Sequence, residues 1–366
     1  MRRLRDLAIN LTLSLVSVLV FLALCEFVVF RYIVPASDAP RLDYRNDVVR
    51  YAPNQQGVWR VRNEIAAPYR INAQGWNSGA GDYVQQRTGQ ATRIAVVGDS
   101  FVDALQVAST DSFAEKLERA LRASGTASQV YRFGMSGAPL SQYVHMVARE
   151  VVRYRPDWIV VNVVHNDFDE SYRFVQGRYT SGFMKFGVAD GKVVGEVPPT
   201  PWKPAWADTL RQTATARFFL YRWQVRPQIV IDLFLPRQAD DGPVAANVDV
   251  GQVLAQRQQV AAVADHAVAR LTALAAGIGA RLLLVMNGDL QAIYDGNADS
   301  PALALNRVLA EAAKRHGVAM IDMHPIFAAH WAANHRRLNF ESDGHWNELG
   351  HATVAAAIAA HIRQAH

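Results

Sequence analysis

The sequence predicts an α/β protein built on a parallel sheet covered by helices on both faces. Three observations carry that expectation. Apolar runs of strand length recur at Arg93–Val97, Gln129–Phe133, Trp158–Val164, Arg281–Val285 and Val318–Ile321, about five strands in all. Amphipathic helical patterns separate them at Ser112–Leu121, Gln142–Val152, Gly251–Ala276, Pro301–Arg315 and Leu349–Ile362. Strands that are apolar at every position, rather than at alternate ones, must be buried on both sides, and helical crossovers are what cover a parallel sheet. The third observation is bulk: 366 residues, 50% of them hydrophobic, are enough for a sizeable core and exclude disorder as the main state.

Charge and cysteine usage narrow the classes further. With 38 Lys plus Arg against 33 Asp plus Glu, the net charge is +5, mildly basic. The arginines are scattered, and neither a dense basic stripe nor a zinc-type spacing points to nucleic acid. One cysteine, Cys25, excludes an internal disulfide framework, a CxxC redox site and a thiolate zinc cluster.

The first 35 residues read as a membrane anchor. Leu7 to Cys25 are 19 residues without a charge, and a helix of that length covers ~28 Å, the thickness of a hydrocarbon core. Arg2, Arg3 and Arg5 precede it, so the positive-inside bias keeps the N-terminus cytoplasmic and sends the rest of the chain outward, to the periplasm in a bacterium. A cleaved signal peptide is the competing reading. Against it, the bulky residues Glu26, Phe27, Val28, Val29 and Phe30 follow where a small-x-small cleavage site would lie. A lipoprotein signal at Cys25 would need a small residue where Leu24 stands.

Residues 36–90 form a polar, aromatic lead-in with short alternating runs such as Val58-Trp59-Arg60-Val61-Arg62, expected to be β-rich. Residues 91–366 carry the α/β pattern, interrupted at about 169–250 by an insertion or lid rich in tryptophan and proline. Within it, Arg217–Leu235 mixes Phe218, Phe219, Leu220, Trp223, Ile229, Val230 and Ile231 with arginines around Pro227. A helical hairpin packed on the body is the first expectation there, and contact with a membrane surface the second.

Four short motifs hold the residues able to do chemistry. Gly98-Asp99-Ser100 ends the first strand, placing a hydroxyl at the carboxyl edge of a parallel sheet, where doubly wound folds bind ligands. Asp343-Gly344-His345 lies just before the last helix. Residues two apart in an extended segment share a side, so the carboxylate can fix the imidazole tautomer and leave the other nitrogen to accept a proton. His165-Asn166-Asp167 follows the third strand and offers a neutral amide, Asn166, for a developing oxyanion. Phe133-Gly134-Met135-Ser136-Gly137 follows the second, with glycines that let a backbone N–H approach the same point. Taken singly, each also fits an ordinary βα turn or helix cap.

Taken together and in this order, the motifs resemble the SGNH (GDSL-type) hydrolase superfamily over about residues 92–365, outside the insertion. The resemblance implies a flavodoxin-like three-layer fold. It also implies Ser100 as nucleophile and first oxyanion N–H, Gly137 as backbone donor, Asn166 as side-chain donor, and Asp343 with His345 completing a triad, with no cofactor. Four positions depart from the family pattern: Phe101 stands for Leu, Arg132 for Asn, Val164 for Gly, and Asp343-x-His345 for Asp-x-x-His. The last spacing is similar to polysaccharide-modifying branches, and Glu341 is an alternative orienter. A metal site at His345 and His351 is disfavoured by their spacing of six and the missing acidic partner, and His165 is expected on an exposed loop.

An anchored, outward-facing domain of this kind implies serine esterase chemistry on O-acyl esters, such as acetyl groups, of cell-surface or exported glycans. Two alternatives stand beside it. One is an O-acetyltransferase, which would need a multi-span membrane acyltransferase as donor partner. The other is a catalytically idle glycan-binding or scaffold subunit.

Overall fold

The computed structural model describes residues 2–87, 89–173, 179–225, 244–245 and 248–365. Pro227, Ile229, Val230, Ile231 and Leu235 of the insertion lie outside the described residues. By their internal contacts the described residues fall into two compact units. The larger comprises Pro40–Gly57, Ala67–Lys203 and Ala239–His366; the smaller comprises Met1–Ala39, Val58–Ala66 and Pro204–Gln238.

In the larger unit five parallel strands form one sheet: β1 (Thr92–Gly98), β2 (Ser128–Gly134), β3 (Trp158–Val163), β4 (Arg281–Met286) and β5 (Ala319–Asp322). Their spatial order is β2-β1-β3-β4-β5, which reverses direction at β1 and opens a crevice beside its carboxyl end. Alternate residues of each strand face opposite layers. Ile94, Val96, Val160, Leu283 and Val285 pack with Phe113, Leu117 and Leu121 of α3 (Phe113–Ala123) and Val354, Ile358 and Ile362 of α8 (Glu348–Gln364). The opposite layer holds α4 (Leu140–Arg149), α5 (Arg257–Ala276) and α6 (Leu303–Arg315). Both faces are therefore dry, as the uninterrupted apolar strands require.

The element boundaries fall within a few residues of those expected from periodicity. The helix expected over Gly251–Ala276 is divided at Gln256, where the backbone leaves the helical region (φ −109°, ψ 30°). Besides short helices of four to six residues, the sequence reading missed α7 (Met323–Asn334), whose sequence MHPIFAAHWAAN spreads apolar and ring side chains around its whole circumference and so lacks a polar stripe. Asp322 caps it by accepting from the His324 N–H at 3.0 Å.

The lead-in contains two two-stranded ribbons, Leu42–Arg45 with Val48–Tyr51 and Gln55–Val61 with Ile65–Ile71. The first is tied to α4 by a buried ion pair: Arg50 lies 2.6 Å from Glu150, with 4% and 2% of the two side chains exposed. Asn46 also donates to Glu150, at 2.7 Å. In the insertion a hairpin, Lys185–Ala189 with Lys192–Val197, belongs to the larger unit. Two short helices, Trp206–Arg211 and Ala214–Arg217, belong to the smaller one. The smaller unit also contains α1 (Arg2–Leu24), which continues as a wider helical turn through Ile33. The stretch Arg3–Ile33 is long and apolar enough to cross a membrane or to serve as a signal sequence.

Removing one partner of a buried pair strands the other charge in a low-dielectric site. Arg50→Ala is accordingly expected to lower unfolding stability by about 3–5 kcal/mol. Chemical denaturation of variant and parent side by side measures the difference.

Candidate active site

Ser100 is the first residue of α2 (Ser100–Asp103), a single turn that begins where β1 ends. Asp99 is its N-cap, its carboxylate accepting from the Phe101 N–H at 3.0 Å. As the first helical residue, Ser100 has a backbone N–H without an intrahelical acceptor. The turn sits hard against the end of β2, where Gly134 pairs with Gly98. A Cβ on Gly134 would overlap the Asp103 backbone nitrogen, so only glycine allows this approach. Ala104 ends the turn in the left-handed region, at φ 53°.

His345 reaches this hydroxyl from the far end of the chain. Ser100 Oγ lies 2.7 Å from His345 Nε2, and His345 Nδ1 hydrogen-bonds Asp343 Oδ1. With Nδ1–H donating to the carboxylate, Nε2 is left as the acceptor for the serine proton. The segment is not extended, as the two-residue spacing suggested. Gly344 has φ +83° and its N–H donates to Phe340 O, while Phe340 N–H donates to His345 O, so a tight turn brings Asp343 under the ring. Trp346, fully buried, anchors this turn by donating Nε1–H to Asn287 Oδ1 at 3.2 Å. Asn347 then caps α8 by accepting from the N–H groups of Leu349 and Gly350, both at 3.0 Å. The Phe101 ring packs 4.8 Å from the imidazole. Glu341 is elsewhere engaged, 3.1 Å from Arg337.

Burial alone would pull the His345 pKa down, but the hydrogen bond and charge of Asp343, joined by Asp99 and Asp103, outweigh it and hold the imidazole above the ordinary histidine value. The ring keeps partial access to solvent, with 24% of its side chain exposed.

The Asn166 loop borders a cleft on this edge of the sheet. Asn166 lines a cleft of about 680 Å³ together with Phe101, Asn287, Asp289, Asn339 and Gly344. One of its amide hydrogens goes to Glu170 Oε1 at 3.0 Å; the amide has a second. Val164, which stands where the family has glycine, keeps a negative φ and is buried, so a β-branched residue fits without strain. The loop is shaped instead by Asp167, which accepts from the Val164 N–H at 2.7 Å and from the Tyr143 hydroxyl. Gly137 adopts φ +72°, beyond Ser136 in the turn after β2.

Sequence reasoning missed the residue that ties these parts together. Asp103, buried at the end of α2, accepts from the Tyr51 hydroxyl at 2.5 Å and from the Ser136 hydroxyl at 2.9 Å. It thereby links the Ser100 turn, the Gly137 loop and the lead-in. Burial pushes its pKa up to about 6 against the pull of those hydrogen bonds. Arg132, where the family has Asn, is fully buried and donates to the Asp103 carbonyl at 3.0 Å, bracing the C-terminal end of α2. Its Nε lies 3.3 Å from Glu115 without hydrogen-bond alignment. In the sequence Arg132 stands out only as a departure from the family pattern, and Asp103 only as a polar residue three positions after the serine.

Two histidines are corrected or set aside. His165 is buried rather than on an exposed loop: its Nε2 meets Asn306 Oδ1 at 2.9 Å, and burial pushes its pKa down to about 4. His351 is a core residue whose Nδ1 accepts from the Phe113 N–H at 3.2 Å. Among the described residues no group of three or more His, Cys, Asp or Glu is placed to hold a metal ion.

Residues 96–353 match the GDSL-like lipase/acylhydrolase family, about seven-tenths of the chain. The chain belongs to that family. An acylhydrolase of this kind hydrolyses esters, and the strand ends just described are the parts the match covers. Among solved structures, similar chains include an acetyl xylan esterase (12% identity, TM-score 0.40, covering 74% of this chain and 99% of that one). A lipase/acylhydrolase from Enterococcus faecalis (14%, 0.40, 74% and 95%) and an acetyl-xylooligosaccharide esterase from Geobacillus (12%, 0.41, 76% and 96%) are others. No curated protein matches the sequence.

Two predictions follow the geometry. Because His345 must be neutral to accept a proton and its pKa is raised, the acid limb of kcat/KM against pH should lie above the ordinary histidine value. Asp343→Asn should move that limb to lower pH, since burial then acts with less opposition, and cut kcat by about 10⁴-fold. Asp103→Ala should destabilise by about 1–3 kcal/mol, chiefly through the buried Tyr51 hydroxyl that loses its carboxylate acceptor, with Asp103→Asn, which keeps an acceptor oxygen, nearer the parent in thermal unfolding.

Proposed function

We propose that this acylhydrolase is a serine esterase tethered by its N-terminal helix and acting outside the cytoplasmic membrane on O-acyl esters, acetyl above all, of cell-surface or exported glycans. The observation that carries the chemistry is the unbroken hydrogen-bond chain from Ser100 Oγ through His345 to Asp343. His345 Nε2 takes the serine proton as Oγ attacks the ester carbonyl carbon. The resulting oxyanion is held by the N–H groups of Ser100 and Gly137 and by the Asn166 amide hydrogen not given to Glu170. Collapse of the tetrahedral intermediate breaks the C–O bond to the carrier, and His345 returns the proton to the departing alcohol. Water then gives a proton to His345 as its oxygen attacks the acyl carbon; the bond from that carbon to Ser100 Oγ breaks, the acid leaves, and His345 returns the proton to Oγ. Asp343 stays ionised throughout and stabilises the imidazolium formed in each half-reaction.

A hydroxyl-rich carrier suits the cleft beside this chain. Asn287, Asp289, Asn297, Asn339 and Arg337 line it, polar groups able to meet sugar hydroxyls, with the Phe101 ring at one side. Residues 1–35 serve as the anchor, 36–90 as the lead-in and 91–366 as the catalytic domain carrying the insertion at about 169–250. The outward orientation rests on Arg2, Arg3 and Arg5 preceding the apolar stretch.

Full-length protein in detergent, incubated with an O-acetylated polysaccharide, is expected to release free acetate. Ser100→Ala and His345→Ala should each lower the rate by about 10⁴-fold or more while leaving thermal unfolding near that of the parent. Acetyl groups appearing on an added hydroxyl acceptor, instead of free acetate, would identify a transferase. Undiminished turnover by Ser100→Ala would remove Ser100 from its role.

A further inference from the structure

A charged side chain inside a membrane-anchor helix needs a partner, and in this chain the partner lies 188 positions downstream. The Glu26 carboxylate accepts from the Ala214 N–H at 2.8 Å, the Thr215 N–H at 2.9 Å and the Thr215 hydroxyl at 2.9 Å. One turn further along, Phe30 stacks on Phe218 with centroids 4.2 Å apart and meets Phe219 edge-on at 5.8 Å. Arg217 reaches Asp38 at 2.7 Å, and Arg222 donates to the Pro35 carbonyl at 2.5 Å. The part of the insertion from Ala214 to Arg222 is thus bound to the end of the apolar helix, with the short helix Trp206–Arg211 immediately before it.

The depth of that contact follows from helix rise. Counted from Leu7, a hydrocarbon core of ~30 Å is crossed in about 20 residues, which ends at Glu26. Glu26 to Ile33 then occupy the headgroup layer, and whatever is bound to Glu26 and Phe30 occupies it too. The side chains that this part of the insertion leaves uncovered suit that layer: Trp206 is 78% exposed, Leu210 54%, Phe219 45% and Trp223 42%. Tryptophan and phenylalanine beside arginine are the composition of a membrane interface, where ring and cation meet acyl carbonyls and phosphates. Charge agrees. Arg31, Arg60 and Arg217 line a cavity of about 340 Å³ and pair with two carboxylates, Arg31 with Glu26 and the other two with Asp38, which leaves one positive charge in excess.

We propose that Trp206–Trp223 is a second membrane-contacting element, an interfacial platform that lies in the headgroup layer of the outer leaflet beside the anchor, its partner a phospholipid surface. The proposal rests on the anchor reading given above. It also gives the anchor a structural role that a cleaved signal peptide would not have, because Glu26 supplies acceptors to two backbone N–H groups of the insertion.

Site-directed spin labelling of the full chain in phospholipid vesicles tests it. In a Cys25→Ser background, nitroxides are placed by Leu210→Cys and, separately, by Leu19→Cys within the span, and collision with oxygen is compared with collision with a nickel chelate. Vesicle lipids carrying a nitroxide on the headgroup or on acyl carbon 5 calibrate depth. The Leu210 label is expected to shift from the aqueous ratio to that of the headgroup lipid, with Leu19 reading as hydrocarbon. A Leu210 label that reads as water while Leu19 reads as hydrocarbon overturns the platform and leaves this face to a protein partner. If Leu19 itself reads as water, the anchor reading fails and the platform with it. Ester turnover in the same vesicles verifies folding, and Phe219→Cys replaces Leu210→Cys should the latter lose activity.

Discussion

A hydroxyl at the end of the first core strand must meet an imidazole 245 positions later, and the rest of the larger unit is organised around that meeting. A parallel sheet makes it feasible, since all its carboxyl ends lie on one edge and loops far apart in sequence share that edge. The close pairing of Gly98 with Gly134 lets the Ser100 turn lie flat on the second strand. On the other side Trp346, buried and hydrogen-bonded to Asn287, fixes where the His345 turn can stand.

Around the pair lies an unusual density of carboxyl groups. Burial raises the pKa of Asp99, Asp103, Asp167 and Glu170, and the charge of Asp99 adds to the rise at the other three. Each accepts from a hydroxyl, amide or backbone donor, and the charges of Arg132 and Lys185 offset part of the rise at Asp103 and Glu170. Asp99 and Asp103 of this cluster, together with Asp343, favour positive charge on His345. The same carboxyls shape the loops, since Asp103 holds the Ser136 side and Asp167 the Val164 side. Electrostatics and loop geometry are here one set of contacts.

The smaller unit follows a different logic. Its apolar helix is exposed along nearly all its length, and what order it has beyond the helix comes from Glu26, Phe30 and Asp38 engaging residues of the insertion. Carboxylate and arginine contacts of this kind are strong where water is scarce and weak where it is not. Their concentration at one end of an apolar helix is what a membrane boundary rewards.

Sequence alone determined the α/β class, the five strands, the long apolar N-terminal helix and the residues at the strand ends, because burial on both faces writes continuous apolar runs and glycine-bearing turns that can be read locally. It also singled out Ser100, Asn166, Asp343 and His345, whose types betray their chemistry. What it could not supply were relations between distant positions. The extended geometry assumed at Asp343-Gly344-His345 proved to be a turn, His165 was buried, and Asp103 and Arg132 looked like ordinary polar residues until Tyr51, Ser136 and the end of α2 were set beside them. Helix α7 carried no periodic stripe because its rings face several neighbours at once. Glu26 gave its position but not its partner, since a hydrogen bond across 188 residues leaves no periodicity behind: only the folded chain brings such groups within reach.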